Sequence, residues 1–600
     1  MTANKLLGVI FKWRIKHVND KRFVILLALI LGIGVGVMAS LLRILTHWIE
    51  GLILNGFFNS FDGLLYFVLP LVGIFTVVLI VKYAANNHLP KSVSYVIFNI
   101  GNRDGIFKPI HSFMHVITSA LTVAFGGSVG LEGPAVLTGS AIGSNLGQLF
   151  HLSKKRRLLL IGCGSAAAIS ALFNSPIAGV IFVLEIILVE ARVAFMIPLL
   201  IASVAGTLTS SVLAGNKMLF DFGKLQATSL KEIPFYILLA LITGLLSIYF
   251  VKTSAFLTNK LGEQKNPFKR FAINGGLLGL ALFLVPTLYG EGFLTLRKIL
   301  NGKEDTLFEN TFYESFTGGH ELLQNNWLIL VFLAASILLK VFATNFTKLA
   351  GGNGGVFAPS LFIGGLTGFV VSRTINQLGW LNYKLSETNF TLVGMAGIIA
   401  GIMHAPLTAI FLIAEITQGY QLFIPLMVVV AISYATSQKN SAYSFYTKKL
   451  AEKGELAAYD KDHSLLSEIG VLKVIEKDLK TVNENGTLKD LVETISESTR
   501  NIFPVVNDQG ELKGIILLDD VRHLIFNPEK YNLSLKHITH DSPAYVKHDE
   551  KMDVVMAKFD ECGAWNLPVL KNGKYYGYLS KSKIFSVYRD QLHCADEESY

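Results

Sequence analysis

Charged residues are scarce in this 600-residue sequence, where Asp, Glu, Lys and Arg together make up 16% of the positions. A soluble protein usually carries about 25% charged residues. The shortage is confined to the first ~440 residues, because ordinary charged sequence such as KKLAEKGELAAYDKDH begins at Lys448. This composition excludes a wholly soluble chain and predicts a membrane domain followed by a soluble domain.

Cysteine is also rare. The three cysteines, Cys163, Cys562 and Cys594, have no metal-ligand spacing and indicate no disulfide framework. No nucleophile–base pair or metal motif points to an enzyme, and no basic stripe with interleaved aromatic residues points to nucleic acid. We therefore expect a protein that is not an enzyme, requires no metal or cofactor and binds no nucleic acid.

Long apolar runs dominate the first part of the chain. Residues 23–42, 64–81, 235–251 and 327–342 are clear candidates to cross a bilayer, at roughly 20 residues each. Other runs, such as 177–189, are short and interrupted by Gly or Pro. Irregular backbone at membrane depth must be buried in protein or line a cavity. The pattern predicts a multi-pass domain in a lipid bilayer whose short, interrupted helices are buried in protein or line a cavity.

Basic residues predict the orientation of this domain. The start, MTANKLLGVIFKWRIKHVNDKRF, is basic and lacks a small-residue cleavage site, which is typical of an uncleaved cytoplasmic segment. Lys and Arg are enriched again at residues 154–157 and after Lys448. Because cytoplasmic loops carry the positive excess, both termini are expected in the cytoplasm, and this accounts for the net charge of +9. The compact tail favours a bacterial inner (plasma) membrane.

An internal repeat organises the membrane domain. The segment GSVGLEGPAVLTGSAIG (127–143) matches GNGGVFAPSLFIGGLTG (352–368) in Gly and Pro positions, with Pro134 on Pro359 and an offset of 225. A second match pairs residues 169–186 with 399–416 at an offset of 230. Gly-rich membrane helices can resemble one another because small residues let helices pack closely. Two ordered matches at nearly one offset instead favour a duplicated fold with its binding site between the halves, parallel or inverted.

Each Gly-rich segment leads into a helix start marked by Pro134 or Pro359, because proline is well tolerated at the first helical positions. Free backbone N–H groups and the positive end of the helix dipole make such a start an anion site. Two such helix ends that meet near the midplane would hold an anion without a fixed positive charge. Weak binding of this kind suits a conduit that an ion must also leave.

Glu132 is a lone carboxylate within the first of these loops. An intramembrane carboxylate is a functional candidate, and this one can occupy the anion site when ionised and leave it when protonated. The alternative is a buried carboxylate that binds backbone amides structurally. Its repeat partner, Phe357, is apolar, so the fold does not require an acid there. Glu185 and Glu415 occupy matched places in both halves, which indicates a structural role at a helix end.

These residues resemble the CLC family of chloride channels and chloride/proton antiporters. The stretch from Gly130 to Pro134 matches the family's G-x-E-G-P motif, which implies that Glu132 is the gate, and residues 355–359 match its G-x-F-x-P motif. The stretch SFYTKKL (444–450) resembles the family segment that carries the anion-coordinating tyrosine, which implies this role for Tyr446. The resemblance implies an all-α polytopic domain of two inverted repeats in a homodimer with one pore per subunit. Its implied anion-binding residues are Gly130, Leu131, Gly133, Val356, Phe357 and Tyr446.

Two departures from the family pattern bear on mechanism. The family's G-S-G-I-P motif is degraded in NNHLPKSVSYV (86–96), where His88 is the best match for the coordinating serine and Ser92 is the second choice. Antiporters carry a proton-relaying Glu directly after the position of Glu185, and that residue is Ile186 here. An isoleucine carries no proton, so a chloride channel or uncoupled conduit is expected. A chloride/proton antiporter is the alternative, because some exchangers lack the acid.

The soluble tail contains a repeat of its own. Residues 501–521 match 565–584, with Pro504 on Pro568 and Gly514 on Gly577. The pattern resembles a CBS-domain pair, which implies either an adenine-nucleotide site with Asp520 on the ribose or a dimerising module without ligand. The threonine usual in such sites is Leu517 here, and the second copy has Lys583 at the position of the acid.

These features divide the chain into five segments. We expect a cytoplasmic segment (1–22), an anion-transport domain (23–447), a linker (448–464), a first CBS domain (465–526) and a second CBS domain with a tail (527–600).

Two other functions are weaker candidates. CBS pairs also accompany magnesium carriers, but a divalent-cation path needs converging carboxylates or carbonyls, and the membrane domain has few acids. A membrane-anchored nucleotide sensor leaves Glu132 unexplained. Selectivity among chloride, nitrate and fluoride stays open, although Pro134 favours chloride.

Overall fold

The chain divides into two compact units, residues 1–456 and 457–600. The structure is a computed structural model. It describes residues 19–57, 63–85, 89–188, 195–215, 225–262, 264, 266–308, 326–456 and 469–597.

The first unit is built from α-helices. Its first half contains α1 (Asp20–Phe57), α2 (Leu65–Ala84), α3 (Val93–Asn102), α4 (Met114–Ala124), α5 (Glu132–Leu149), α6 (Lys154–Phe173), α7 (Pro176–Phe182) and α8 (Met196–Ala214). Its second half contains α9 (Ile233–Leu261), α10 (Pro267–Leu284), α11 (Phe293–Leu300), α12 (Asn326–Ala350), α13 (Phe357–Leu378), α14 (Glu387–Met403), α15 (Pro406–Ile416), α16 (Phe423–Asn440) and α17 (Lys448–Glu452). Among the described residues, seven helices are long and apolar enough to cross a membrane. The four predicted apolar runs overlap four of them.

Glycines let matched helix pairs pack closely in both halves. Gly139 of α5 faces Gly164 of α6, and a methyl group on either would overlap the carbonyl of the other. Gly364 of α13 and Gly394 of α14 have the same relationship. Because small residues let membrane helices approach, the Gly pattern of the repeat is also a packing pattern.

The helices α6 and α14 end alike. Asn174 and His404 cap them in the left-handed conformation, with φ of 55° and 54°. A short helix with Pro at its first position follows each cap, at Pro176 in α7 and at Pro406 in α15. Proline suits this position because its missing N–H would have no intrahelical partner. Helix α7 continues into one turn of π-helix, Val183–Ile187.

Each half caps the short helix of the other with a glutamate. Glu415 accepts the amides of Ile177 and Ala178 at 3.0 and 2.8 Å. Glu185 accepts the matched amides of Leu407 and Thr408 at 2.9 and 2.8 Å, and the hydroxyl of Thr408 at 2.6 Å. This reciprocal exchange is the pseudo-two-fold relationship expected of inverted repeats, and the predicted structural role of both glutamates at a helix end is confirmed.

The second unit contains two similar α/β halves. Its helices are α18 (Val471–Val474), α19 (Leu488–Ser496), α20 (Leu518–Val521), α21 (Met552–Cys562) and α22 (Lys581–Glu597), and its strands are β1 (Val482–Asn483), β2 (Ile502–Val506), β3 (Leu512–Leu517), β4 (Val546–Lys547), β5 (Asn566–Lys571) and β6 (Lys574–Ser580). The strand orders are β1-β2-β3 and β4-β5-β6, each with a parallel pair followed by an antiparallel pair. Gly514 pairs with Val505, and Gly577 pairs with Val569. The tail repeat predicted from the sequence is therefore confirmed.

Parts of the predicted segments fall outside the described residues. These parts are residues 1–18 of the N-terminal segment, 457–464 of the linker, 465–468 of the first CBS domain, 598–600 of the tail and, within the transport domain, 58–62, 86–88, 189–194, 216–224, 263, 265 and 309–325. The predicted linker begins as helix α17, whose Leu450 is buried.

Candidate anion site

The two Gly-rich loops of the repeat bind each other through their backbones. The Gly130 amide donates to the Gly355 carbonyl at 3.0 Å, and the Gly355 amide donates to the Gly130 carbonyl at 2.7 Å. Helix α5 begins at Glu132 and α13 begins at Phe357, directly beyond this bridge. Two helix N-termini therefore converge, and the free N–H groups of such ends favour an anion.

No side chain fits between the loops at their closest approach. A methyl group on Gly133 would lie 3.0 Å from the Gly355 Cα atom, and one on Gly355 would lie 2.8 Å from the Gly133 nitrogen. Leu131, Val356 and Phe357, for which the family resemblance also implies anion binding, are buried in the same two loops. Backbone rather than side chains therefore forms the contact between the two Gly-rich loops.

The carboxylate of Glu132 lies between these helix ends. The side chain is 3% exposed, and the backbone amides of Glu132 itself and of Ala358 face its carboxylate. One carboxylate oxygen, Oε2, lies over Gly130 and has no hydrogen-bond partner among the described residues. A carboxylate that served only as structural support would be saturated with donors, as buried polar groups normally are. Both oxygens of Glu185 and of Glu415 do bind amides.

A small cavity is lined by three of the predicted anion ligands, Gly133, Val356 and Tyr446, and by Ser92. This cavity has a volume of about 10 Å³, which is about the space of one water-sized sphere. Ser92 is the N-cap of α3, and its hydroxyl accepts the Ser94 amide at 3.3 Å. We call this space the inner cavity. His88, the first choice for the serine ligand, lies outside the described residues, whereas the second choice, Ser92, is at the cavity.

Two lysines also line the inner cavity, where the sequence predicted no fixed positive charge. The Lys91 ammonium donates to the Gly351 carbonyl, and the Lys348 ammonium lies 5.1 Å from the centre of the Phe445 ring. No sequence pattern marked either lysine as a ligand, although Lys91 lies within the degraded segment 86–96, because the two lysines are far apart in the sequence and only the fold brings them together. They depart from the expectation of a site without a fixed positive charge.

A second, larger cavity of about 130 Å³ is lined by Glu132. Leu131 and Glu132 line it together with Tyr289 and with five acidic or basic side chains: Arg43, His47, Glu50, Glu291 and Arg297. We call this space the vestibule. Because Leu131 and Glu132 line the vestibule and Gly133 lines the inner cavity, the start of α5 lies between the two spaces. The hydroxyl of Tyr446 is close enough to Glu132 to interact with it electrostatically.

Ile186 lies in the π-helical turn and is 3% exposed. The adjacent acid, Glu185, is held by the amides and the hydroxyl of α15, so it is committed to a structural contact. Neither residue therefore provides a free carboxylate at the predicted proton-relay position.

Asp520 lies in α20, directly after strand β3. Its carboxylate is 3.4 Å from the His540 ring nitrogen Nε2, and its side chain is 39% exposed. An accessible acid at a strand end fits the ribose contact that the resemblance implies. Leu517, the residue at the end of β3, offers no hydroxyl to a phosphate.

Comparison with known proteins agrees with this architecture. The family model for voltage-gated chloride channels matches residues 72–438, and the CBS-domain model matches residues 471–527. The putative chloride channel protein ClcB-like of Ralstonia nicotianae is 30% identical over 359 residues, which cover 58% of this chain and 76% of that protein. The H⁺/Cl⁻ exchange transporter ClcA of Vibrio cholerae is 27% identical over 312 residues, which cover 50% of this chain and 60% of that protein.

A solved structure shares the fold at lower sequence identity. The structure of a slow cyanobacterial Cl⁻/H⁺ antiporter matches with a TM-score of 0.56 and 18% identity, over 74% of this chain and all of that one. The family model for voltage-gated chloride channels spans more than half of the 600 residues. The chain therefore belongs to the voltage-gated chloride channel (CLC) family and carries a C-terminal CBS pair.

Proposed function

We propose that this protein carries chloride across a membrane between the vestibule and the inner cavity, and that Glu132 gates the path. The observation that supports this most strongly is the position of the Glu132 carboxylate. It lies between two helix N-termini and between two cavities, with one oxygen that has no partner among the described residues. The named relatives, a chloride channel protein and an H⁺/Cl⁻ exchange transporter, support chloride as the substrate.

The gate works by competition between two anions. An ionised Glu132 carboxylate occupies the amides that would otherwise bind chloride, so the path is closed. Protonation removes the charge and the attraction of the amides, and chloride can then take the place of the carboxylate. On the other side of the loop, Ser92 and Tyr446 offer hydroxyl groups, and Lys91 and Lys348 attract the anion electrostatically.

An uncoupled conduit or channel is the version of this function that we favour. Ile186 cannot relay a proton, and the neighbouring Glu185 is bound by α15. Chloride/proton exchange is the second candidate, because one of the named relatives and the similar solved structure are exchangers. A divalent-cation path is disfavoured by the lysines at the inner cavity. In addition, no group of three His, Cys, Asp or Glu side chains in the described ranges could hold a metal ion.

The setting of the protein is part of the proposal. We place the first unit in a bacterial inner (plasma) membrane as a homodimer, with both termini in the cytoplasm, and the CBS pair as an adenine-nucleotide site that is not required for transport. The apolar spans, the basic segments and the family membership support this arrangement.

Purified protein in liposomes tests the function directly. A chloride gradient is applied, and chloride efflux and proton movement are recorded together for the wild type and for Glu132→Gln. We expect rapid chloride efflux without uphill proton movement. Uphill proton movement that the substitution abolishes would instead support exchange. No chloride flux from folded protein of either kind would overturn the proposal.

A further inference from the structure

A second carboxylate lies beside the gate. Glu291 is in the short loop before α11, and its Oε1 accepts the backbone amide of Leu131 at 3.1 Å. Leu131 directly precedes Glu132 and was assigned to anion binding from the sequence, whereas no motif pointed to Glu291. Both carboxylates line the vestibule. They therefore meet at one helix N-terminus.

The loop of Glu291 is held firmly in place. The fully buried ammonium of Lys340, in α12, donates to the carbonyls of Leu288 and Gly290 at 3.1 and 3.0 Å. The Gly290 amide donates to the Gly126 carbonyl at 3.2 Å. Two independent contacts thus fix the backbone on the N-terminal side of Glu291, so its carboxylate is presented to Leu131 by a rigid support.

Charged groups face Glu291 from every neighbouring element. They are Glu132 of α5, Lys340 of α12, Arg297 of α11, and Arg43, His47 and Glu50 of α1. Several of these charged groups already bind other parts of the protein. Arg43 donates to the Leu172 carbonyl at the end of α6, and His47 pairs with Glu50 at 3.2 Å. Lys340 binds the two carbonyls of the loop.

We propose that Glu291 is the vestibule-side proton donor and acceptor for Glu132. The inference rests on the proposed gating role of Glu132. The acid form of Glu291 gives its proton to the Glu132 carboxylate, directly or through one water molecule. Glu291 is left as a carboxylate, which the Leu131 amide stabilises, and takes a new proton from water in the vestibule. Two neighbouring carboxyl groups at one helix end are more stable when they share one proton than when both are ionised, because two negative charges repel each other.

The proposal separates a proton-transfer role from a structural one. A purely structural Glu291 would only accept the Leu131 amide, and the side-chain oxygen of glutamine can do the same. Glu291→Gln therefore keeps that contact and removes only the charge and the titratable proton. Glu291→Asp keeps the acid. Glu50→Gln removes a carboxylate from the same vestibule without touching Leu131 and serves as the matched control.

The test is chloride flux from liposomes at a series of pH values, equal on both sides of the membrane so that protein orientation does not matter. Flux of the wild type should rise as the pH falls, because protonation releases Glu132. Glu291→Gln removes a neighbouring negative charge, so Glu132 ionises more readily and the midpoint should move about one unit to lower pH, a tenfold change in proton concentration. Glu291→Asp should keep the midpoint within about 0.3 units of the wild type, and Glu50→Gln, which removes a carboxylate farther from Leu131 and beside His47, should move the midpoint clearly less than Glu291→Gln does.

The outcomes distinguish this inference from the function on which it rests. Glu132→Gln should make the flux independent of pH, and a retained pH dependence in that variant would overturn the gating role itself. If Glu132→Gln is independent of pH but Glu291→Gln keeps the wild-type midpoint, only the role of Glu291 is overturned. An equal shift in Glu50→Gln would also overturn it, because the effect would then be general vestibule charge. If Glu291→Gln fails to fold, a wild-type midpoint in Glu291→Asp supports the proposal and a shifted one contradicts it.

Discussion

Gly130 and Gly355 exchange both of their backbone hydrogen bonds, although 225 positions separate them in the sequence. The same two residues are equivalent in the internal repeat. Equivalent residues that bind each other must lie at a local two-fold axis, which is the geometry of inverted repeats. The anion site is therefore built at the axis, where one loop from each half supplies the start of a helix.

The close approach of these loops predicts that a methyl group is not tolerated there. Gly355→Ala would place its Cβ 2.8 Å from the Gly133 nitrogen, closer than ordinary packing allows. We expect a loss of about 1–3 kcal/mol in the free energy of unfolding, together with reduced chloride flux. Thermal unfolding in detergent and liposome flux measure the two effects.

Gly276→Ala is the matched control for that substitution. Gly276 lies within α10 and has open space where the methyl group would go. Alanine there should leave stability unchanged or raise it slightly, because it favours the helix. Equal stability and flux in Gly355→Ala and Gly276→Ala would contradict the account of the loops.

The side chain of Glu415 should stabilise the fold without affecting the pH response of transport. Its two oxygens accept the Ile177 and Ala178 amides, and glutamine can accept only one of them well. Glu415→Gln should therefore cost about 1–3 kcal/mol in unfolding free energy while the pH midpoint of flux stays at the wild-type value. Denaturation and flux on the same preparation test this contrast with Glu132. A changed pH midpoint with wild-type stability would show that the structural assignment is wrong.

Lys348 should strengthen anion binding at the inner cavity. Its ammonium lies over the Phe445 ring beside the cavity that Tyr446 lines. Lys348→Met keeps much of the volume and removes the charge, so chloride affinity should fall about tenfold, or about 1.4 kcal/mol. Calorimetric titration of chloride into detergent-solubilised protein measures this change, with Lys348→Arg as the variant that keeps the charge. Unaltered affinity in Lys348→Met would remove the lysine from the anion path.

The prediction of nucleotide binding in the tail depends on Asp520 as the residue that binds the ribose. Its carboxylate is partly exposed and lies 3.4 Å from His540, at the end of β3. We expect ATP, ADP or AMP to bind the full-length protein, and Asp520→Ala to weaken binding about tenfold because the ribose loses a charged hydrogen-bond acceptor. Calorimetry with each nucleotide checks this. No heat of binding with any of the three would leave the tail as a dimerising module.

The sequence was sufficient to predict features that depend on repetition. A pattern that occurs twice identified three pairs: Gly130 and Gly355, Glu185 and Glu415, and the two tail sheets. Two copies of a pattern indicate that both copies have the same backbone environment. Glu291, Lys91 and Lys348 occur once each and belong to no repeat. Their roles come from side chains that the fold brings together over long sequence distances, which neither periodicity nor spacing can reveal.

The inner cavity shows a second limit of sequence patterns. In the degraded segment NNHLPKSVSYV, either His88 or Ser92 could take the place of the family's anion-coordinating serine. The sequence alone could not show which of the two faces the site, because the motif is degraded there. Ser92 lies at the cavity because it caps α3, which fixes its position relative to Tyr446. Helix capping therefore accounts for the position of Ser92, whereas His88 lies outside the described residues and its role stays a prediction.

The most direct test of the account is chloride efflux at pH 7.5 from liposomes containing the wild type or Glu132→Gln. An ionised Glu132 closes the path, and a glutamine cannot ionise. Efflux through Glu132→Gln should therefore exceed that of the wild type at pH 7.5, and the wild type should approach the same rate as the pH is lowered. Equal rates for the two proteins at every pH would contradict the claim that the Glu132 carboxylate is the gate.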